Sequence, residues 1–186
     1  NKTYKSQVVS IEAMKIFYNS FFELLLKNDD VGIIIKQKKY SPFLLEDTLF
    51  NKCLKSGRIY RVKDFKNTFP YKYAPISDIV VAITAQDFPS SLLECLKYCN
   101  KGIIYDYINL KNANEDFYNK FENKLIYQDI KILIKSINYL ILQNKDYSFV
   151  GNWQSIFNHI NSFDKEDAYI KINYYLEKLL YYYDKN

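Results

Sequence analysis

The sequence predicts an α/β fold in which an open, mainly parallel sheet carries helices on both faces. Short β-branched runs recur without alternating polar residues, as in strands buried on both faces of a parallel sheet. Segments with the helical spacing of apolar residues separate these runs, and that alternation favours right-handed crossovers. With 186 residues, 48% of them hydrophobic, the chain can bury one core, so we expect a single domain over residues 1–186.

The first predicted element is a helix after Ser10, where apolar residues recur at helical spacing and Ser10 suits the N-cap. The elements that follow, in order, are strand VGIIIK, a helix from Pro42 to Lys55 closed by Gly57, strand RIYRV, the irregular segment KDFKNTFPYKYAPIS, strand DIVVAIT, a helix from Ser91 to Asn100 ended by Gly102, strand GIIYDY, a helical segment near Glu115 to Glu122, strand KLIYQ, a helix from about Asp129 to Gln143, and a helical tail over about residues 152–184.

Composition argues against several function classes. The 26 basic residues are spread among 21 acidic ones, and a formal charge of +5 is modest, so we expect no nucleic-acid partner. No apolar run approaches the length that spans a bilayer, so the expected location is the cytoplasm.

Cysteine and histidine usage favours a structural interpretation over a metal or nucleophile site. Cys95 and Cys99 lie one helical turn apart without the further Cys or His residues that a zinc site needs, and Cys53 is remote. We therefore expect reduced core thiols and no metal. His159 has no nucleophile motif beside it, so a packed or surface role is favoured over a catalytic one.

Polar residues follow four of the predicted strands. Ligands bind open parallel sheets where the strands end, and the carboxyl ends of parallel strands meet at one edge, so we expect these residues to line a single edge. They are Lys36, Lys38 and Lys39 after VGIII, Arg61 and Lys63 after RIY, Gln86, Asp87, Ser90 and Ser91 after DIVVAIT, and Asp106 and Tyr107 after GIIY.

The segment Pro89-Ser90-Ser91 has two interpretations. It opens a helix directly after a predicted buried strand, where backbone N–H groups and the helix dipole favour an anion such as a diphosphate. Alternatively, Ser91 and Glu94 have the spacing of a capping box, in which each side chain bonds the other residue's backbone N–H and no ligand is needed.

The succession VGIIIKQKK, GRIYRV and APISDIVVAITAQDFPSSLLECLKYCNKGIIYDY resembles the C-terminal domain of GT-B-fold glycosyltransferases that make bacterial surface polysaccharides. In that family the nucleotide-sugar site is formed by four successive motifs. They are an "ADLVI" strand motif, a Ser/Thr-rich turn, a helix that begins with "S-x-x-x-E-A", and a strand that begins with glycine and ends in Tyr-Asp. Ser90, Ser91 and Glu94 match the turn and the helix, Cys95 replaces the usual small residue, and Asp106 matches the final acid.

The tail GNWQSIFNHINSFDKEDAYIKINYYLEKLL also resembles the closing helix of that family. It departs from the acid-proline and Asp-Gly pattern at Asn161, Ser162, Lys165 and Glu166. No site role is therefore assigned to this loop. The resemblance covers roughly residues 31–180.

The resemblance implies a Rossmann-like domain, one half of a GT-B fold, that binds a nucleotide-sugar donor without a metal or other cofactor. The phosphates would contact Ser90 and Ser91, Lys36 and Lys38 would neutralise them, and Glu94 or Asp106 would accept hydrogen bonds from ribose or sugar hydroxyls, with Asp87 part of the same site. The catalytic residues stay unknown. A glycan or lipid-linked acceptor would bind a preceding domain that we expect to be absent from this chain, and the enzyme could associate peripherally with the inner face of the membrane.

Two other function classes stay open on the sequence alone. One is a nucleotide-sugar epimerase or glycerophosphotransferase domain with the same architecture. The other is a non-catalytic α/β interaction domain, in which the frame presents a basic surface to nucleic acid or to an anionic membrane.

Overall fold

A computed structural model shows an α/β protein built from short parallel strands and helices. The predicted helical segment near Glu115 to Glu122 lies almost entirely outside the described residues, as does the predicted tail beyond Trp153. The described residues all belong to one compact unit, and they are 9–37, 44, 47–64, 66–84, 89–99, 101–108, 121–143 and 145–153.

Each of the five predicted strand segments contains a strand, and the pairings between these strands are parallel. An isolated antiparallel bridge joins Lys101 and Asn152. Strand β1 (Ile33–Ile35) pairs with β2 (Ile59–Arg61), and strands β3 (Val80–Thr84), β4 (Gly102–Asp106) and β5 (Ile126–Tyr127) pair in that order. The prediction of one continuous sheet is wrong for the described residues, which form a two-stranded and a three-stranded sheet.

The expected burial of DIVVAIT on both faces is also wrong. Residues 80–83 of β3, an edge strand of its sheet, are half-buried, whereas every residue of the central strand β4 is buried.

Among the described residues, helices also lie before β3 in the chain. Helix α1 spans Ile11–Lys27, and the side chain of Ser10 accepts a hydrogen bond from the backbone N–H of Ala13, which confirms the predicted N-cap. Helix α2 spans Thr48–Lys55. It begins later than predicted because Asp47 has extended backbone dihedrals and caps it by accepting from the next turn's amides. Gly57, at a φ of 72°, follows the helix in the left-handed conformation that favours glycine, as expected.

Helices α3 (Ser90–Leu96) and α4 (Ile130–Ile141) follow β3 and β5. Helix α4 begins at its predicted position, where the carboxylate of Asp129 accepts from the N–H groups of Lys131 and Ile132. Helix α3 ends four residues before the predicted Asn100 and is followed by a turn. Gly102 is consequently the first residue of β4 and not the residue that closes the helix.

Helices cover both faces of β4. On one face, Ile103 and Tyr105 belong to a core formed with α1 and α4. On the other face Gly102 lies against Leu92 and Leu96 of α3 and against Trp153, whose indole N–H donates to the Gly102 carbonyl at 2.7 Å. This arrangement makes β4 the centre of the three-layered part of the fold.

Helix α1 contacts both sheets. Phe17 contributes to the core around β4, where its ring stacks on Tyr105 with a centroid distance of 5.8 Å. Phe22 and Leu25 contribute instead to the core between β1 and α2, where Phe22 contacts Phe50. The two sheets are therefore packed against one shared helix. Among the described residues no helix is long and apolar enough to cross a bilayer.

Candidate functional site

The direction of α1 shows that the carboxyl ends of both sheets lie at the same end of this helix. At its beginning, the backbone N–H of Ser10 donates to the hydroxyl of Tyr107, just beyond the end of β4, at 3.2 Å. Tyr18, in the first half of α1, lies beside Gln37, which follows the end of β1.

The other end of α1 lies at the opposite, amino-terminal edge. Arg58 immediately precedes β2, and its Nη1 donates to the carbonyls of Leu25, Asn28 and Val31 at 2.8, 2.5 and 3.2 Å. These bonds satisfy carbonyls at and beyond the C-terminus of the helix. We call the opposite end the carboxyl edge, formed by Lys36, Gln37, Arg61, Thr84 and Asp106.

Helix α3 ends near the amino-terminal ends of β3 and β4, so its first turn is the end of the helix nearer to the carboxyl edge. Ser90 is six residues beyond Thr84, so its backbone lies within about 20 Å of the end of β3. At the far side of the helix, the thiol of Cys99 donates to the carbonyls of Ser77 and Lys101, which lead into β3 and β4. The helix therefore runs antiparallel to the strands.

Two cationic side chains converge on Gln37 at the carboxyl edge. The Lys36 ammonium donates to the Gln37 backbone carbonyl at 2.8 Å. The Arg61 guanidinium donates through Nε and Nη2 to the Gln37 side-chain oxygen at 3.3 and 3.1 Å. Gln37 is itself 7% exposed, so its amide holds the guanidinium in a defined orientation.

The acceptor for Arg61 here is a neutral amide, which orients the cation without adding negative charge. Burial raises the pKa of the nearby Tyr18 hydroxyl, while the adjacent Gln37 amide and the positive charge of Arg61 oppose that rise. At neutral pH Tyr18 is therefore a neutral phenol, and Lys36 and Arg61 give this part of the edge a positive potential.

The part of the carboxyl edge beside β4 has the opposite character. Thr84 and Asp106 are partners in the parallel register, with exposed fractions of 7% and 0%. Burial raises the pKa of Tyr105, and the negative charges of Asp129 and Asp106 raise it further. The edge thus carries basic side chains beside β1 and β2 and acidic side chains beside β4 and β5.

The start of α3 contradicts the capping-box interpretation. Pro89 occupies the N-cap and offers no side-chain hydrogen bond, so Ser91 lies inside the first turn instead of capping it. Both Ser91 and Glu94 are exposed. Their side chains are accordingly not committed to each other's backbone amides as a capping box requires.

The structure brings some of the predicted site residues to one edge. Lys36 lies beside Arg61, and Asp106 lies at the end of β4, where its full burial prevents contact with a ligand unless the neighbouring side chains move. Ser90 and Ser91 form the first turn of α3, and Glu94 lies in its second turn. Lys38 and Asp87 lie outside the described residues.

Gln37, which accepts hydrogen bonds from Lys36 and Arg61, was not predicted from the sequence as a site residue. Gln37 directly follows Lys36, but its burial depends on Tyr18, which comes from α1. The one available signal was a glutamine among lysines at the end of a buried strand.

The cysteines agree with the expected structural role. Cys53, Cys95 and Cys99 are buried free thiols, and burial raises the pKa of Cys95 to about 11, with the neighbouring Cys99 and Glu94 adding to the rise. Cys95 is therefore a thiol at neutral pH. Within the described ranges no group of three or more His, Cys, Asp or Glu side chains could hold a metal ion. His159 lies outside those ranges.

Comparisons with known protein families, with characterised proteins and with solved structures find no match. Functional assignment therefore rests on the sequence pattern and on the geometry of the carboxyl edge.

Proposed function

We propose that this chain is the donor-binding half of a GT-B glycosyltransferase of surface polysaccharide biosynthesis, and that it binds a nucleotide sugar at the carboxyl edge of a Rossmann-like fold. One observation carries the proposal. Lys36 and Arg61 are arranged around the buried Gln37 where parallel strands end. That edge is where open α/β folds bind their ligands.

The cationic group matches the chemistry of a diphosphate. The planar guanidinium of Arg61 presents N–H donors in a fork that fits two phosphate oxygens, and the Lys36 ammonium adds a compact positive charge. Lys38 extends this group in our proposal. Ser90 and Ser91 lie in the first turn of α3, and we propose that this turn contacts the phosphates as well.

The acidic side chains suit the ribose and sugar of the same ligand, which present hydroxyl groups. Carboxylates accept hydrogen bonds from ribose and sugar hydroxyls, and Glu94 is exposed for that purpose. Asp106 contributes after a local rearrangement, because it is fully buried in the described state. Asp87 belongs to the same proposed group.

The reaction chemistry follows from this charge distribution. Transfer of a sugar leaves negative charge on the departing nucleotide, and Lys36 and Arg61 would stabilise that charge as it develops. Transfer also needs an acceptor and a base held in reactive geometry. We propose that a separate acceptor-binding domain provides both, with a glycan or a lipid-linked sugar as acceptor.

A thermal-shift panel tests the proposal. The ligands are UDP, CMP, CDP and GDP with their sugars, and inorganic pyrophosphate and double-stranded DNA serve as anionic controls. We expect the ligands that carry one particular base to raise the free energy of unfolding most, by about 2.7 kcal/mol at a concentration of 100 times Kd. A panel in which no nucleotide raises Tm, or in which DNA raises it as much as the best nucleotide, contradicts a nucleotide site.

A further inference from the structure

The side-chain amide of Gln37 is satisfied at its oxygen but not at its nitrogen. The oxygen accepts two hydrogen bonds from Arg61, through Nε at 3.3 Å and Nη2 at 3.1 Å. A guanidinium carries only donors, so the amide has to turn its oxygen toward Arg61 and its Nε2 away from it. In the part of the chain that the structure describes, no atom accepts a hydrogen bond from Nε2. The N–H donors of this nitrogen are therefore unused.

An unused donor at this position is costly, because Gln37 is only 7% exposed. A buried N–H group without a partner gives up its hydrogen bonds to water and gains none in return. The large majority of buried polar side-chain atoms in folded proteins have a partner. The Tyr18 hydroxyl lies beside the amide without satisfying Nε2. The unused donor therefore points to a partner outside the chain.

The groups around Gln37 restrict what that partner can be. Arg61 bonds to its amide oxygen, and the Lys36 ammonium bonds to its backbone carbonyl at 2.8 Å. Both side chains are donors without acceptor capacity, so a ligand atom that reaches Nε2 also meets two cations. A phosphoryl oxygen, which is negatively charged and accepts several hydrogen bonds, suits these neighbours. A nucleobase edge suits them less, because its own N–H groups would face other donors.

We propose that Gln37 binds a phosphate group directly, with Nε2 donating to one phosphoryl oxygen while Arg61 binds another. The inference rests on the proposed function, since it assigns Gln37 to the diphosphate of the nucleotide sugar and not to its base or sugar. It makes Gln37 a ligand-binding residue in addition to one that orients Arg61. Recognition of the base then belongs to other residues.

Access to Nε2 requires a local movement, because this atom is buried in the described state. Lys36 and Arg61 are half-buried, have long side chains, and both contact Gln37. An arriving phosphate attracts both cations, which draws them from their contacts with Gln37 toward the anion. We therefore expect the side-chain resonances of Arg61 and Gln37 to change together on binding.

The test follows the side-chain NH2 resonance of Gln37 while the labelled full chain is titrated with inorganic pyrophosphate. We expect a saturable shift of this resonance together with that of the Arg61 Nε–H. Gln37→Met removes the donors at similar side-chain length and identifies the resonance by its disappearance. It should weaken pyrophosphate binding about tenfold, the size expected for one hydrogen bond to a charged group. A thermal melt establishes that this variant is folded, and the titration of the parent chain decides the question without it.

Gln143 provides the matched control. It is exposed and follows the end of α4, a helix whose first turn comes directly after β5, so it lies away from the carboxyl edge. Its side-chain NH2 should not shift, and Gln143→Met should bind pyrophosphate like the parent chain. Uridine, cytidine and guanosine, which lack phosphate, should leave the Gln37 NH2 unchanged.

Three results overturn the inference. The first is a pyrophosphate titration without a saturable shift of the Gln37 NH2, and if the Arg61 Nε–H shifts in it, Gln37 only orients the guanidinium. The second is a folded Gln37→Met variant that binds pyrophosphate as tightly as Gln143→Met. The third is a Gln37 NH2 that shifts with a nucleoside but not with pyrophosphate, which would assign the donor to a base carbonyl.

Failure of this inference is distinguishable from failure of the proposed function. A nucleotide that stabilises the chain without shifting the Gln37 NH2 contradicts the inference alone. A Gln37 NH2 that shifts with pyrophosphate, in a chain that no nucleotide stabilises, supports the phosphate contact and contradicts the proposed function alone.

Discussion

Replacing Gly102 by Ala is expected to lower the free energy of unfolding by about 2 to 3 kcal/mol, at the upper end of the cost of overpacking. A Cβ atom there would lie 2.6 Å from Leu96 Cδ2, 3.1 Å from Leu92 Cδ1 and 3.2 Å from Trp153 Nε1. These three side chains are at most 3% exposed, so they cannot turn aside into solvent. The added methyl group also presses on the 2.7 Å hydrogen bond from Trp153 to the Gly102 carbonyl.

Gly32→Ala is the matched control for this substitution. A Cβ at Gly32 would meet its nearest atom, the Arg58 carbonyl oxygen, at the ordinary contact distance of 3.6 Å. We expect a change within about 0.5 kcal/mol, as for other substitutions that remove no special feature. Urea titrations of both variants measure the two changes. Equal stability of the two variants would show that α3 and Trp153 do not pack on β4 as described.

Replacing Arg61 by Gln is expected to weaken binding of the stabilising nucleotide at least about tenfold, which corresponds to 1.4 kcal/mol. The substitution removes the fork of N–H donors that Gln37 orients at the carboxyl edge. Because the lost interaction is between opposite charges, the remaining affinity should also depend less on salt. Calorimetric titration at two salt concentrations measures both changes.

Two further variants test whether the loss of affinity is specific to positive charge at the carboxyl edge. Lys27→Gln removes the same charge at the opposite end of α1, where the lysine is exposed and pairs with Glu23, so affinity should stay unchanged. Gln37→Glu keeps the side-chain shape and places a carboxylate against Arg61, so affinity should fall although the guanidinium remains. If Arg61→Gln and Lys27→Gln bind alike, Arg61 is a structural residue.

The strands were predictable because each apolar run is short and bounded by turn or polar residues. Their division into two sheets was not predictable, since β1 and β2 have three residues each and nothing in a run of isoleucines specifies its neighbour. Gly102 shows a related failure. Local sequence predicts that it terminates a helix, whereas the atoms that require a glycine belong to Leu92, Leu96 and Trp153.

In the candidate site, too, neighbouring sequence predicts which residues lie at a strand end but not which side chains they contact after folding. Lys36 was predicted because it directly follows an apolar run, and it does lie at the end of β1. The burial of Gln37 and the orientation of Arg61 depend on side chains that only the folded chain brings together. Asp106 was predicted to contact a ligand from its place at a strand end, but sequence gave no indication of its complete burial.

Amide correlation spectra of the labelled chain, titrated with the nucleotide that stabilises it most, test the central claim most directly. The account predicts saturable shifts at the backbone amides of Lys36, Gln37 and Ser91 and at the side-chain Nε–H of Arg61, all at the carboxyl edge. The amides of Lys27 and Asn28, at the opposite end of α1, should show no comparable change. Shifts confined to residues away from the carboxyl edge, or no saturable shift at all, would contradict a nucleotide site there.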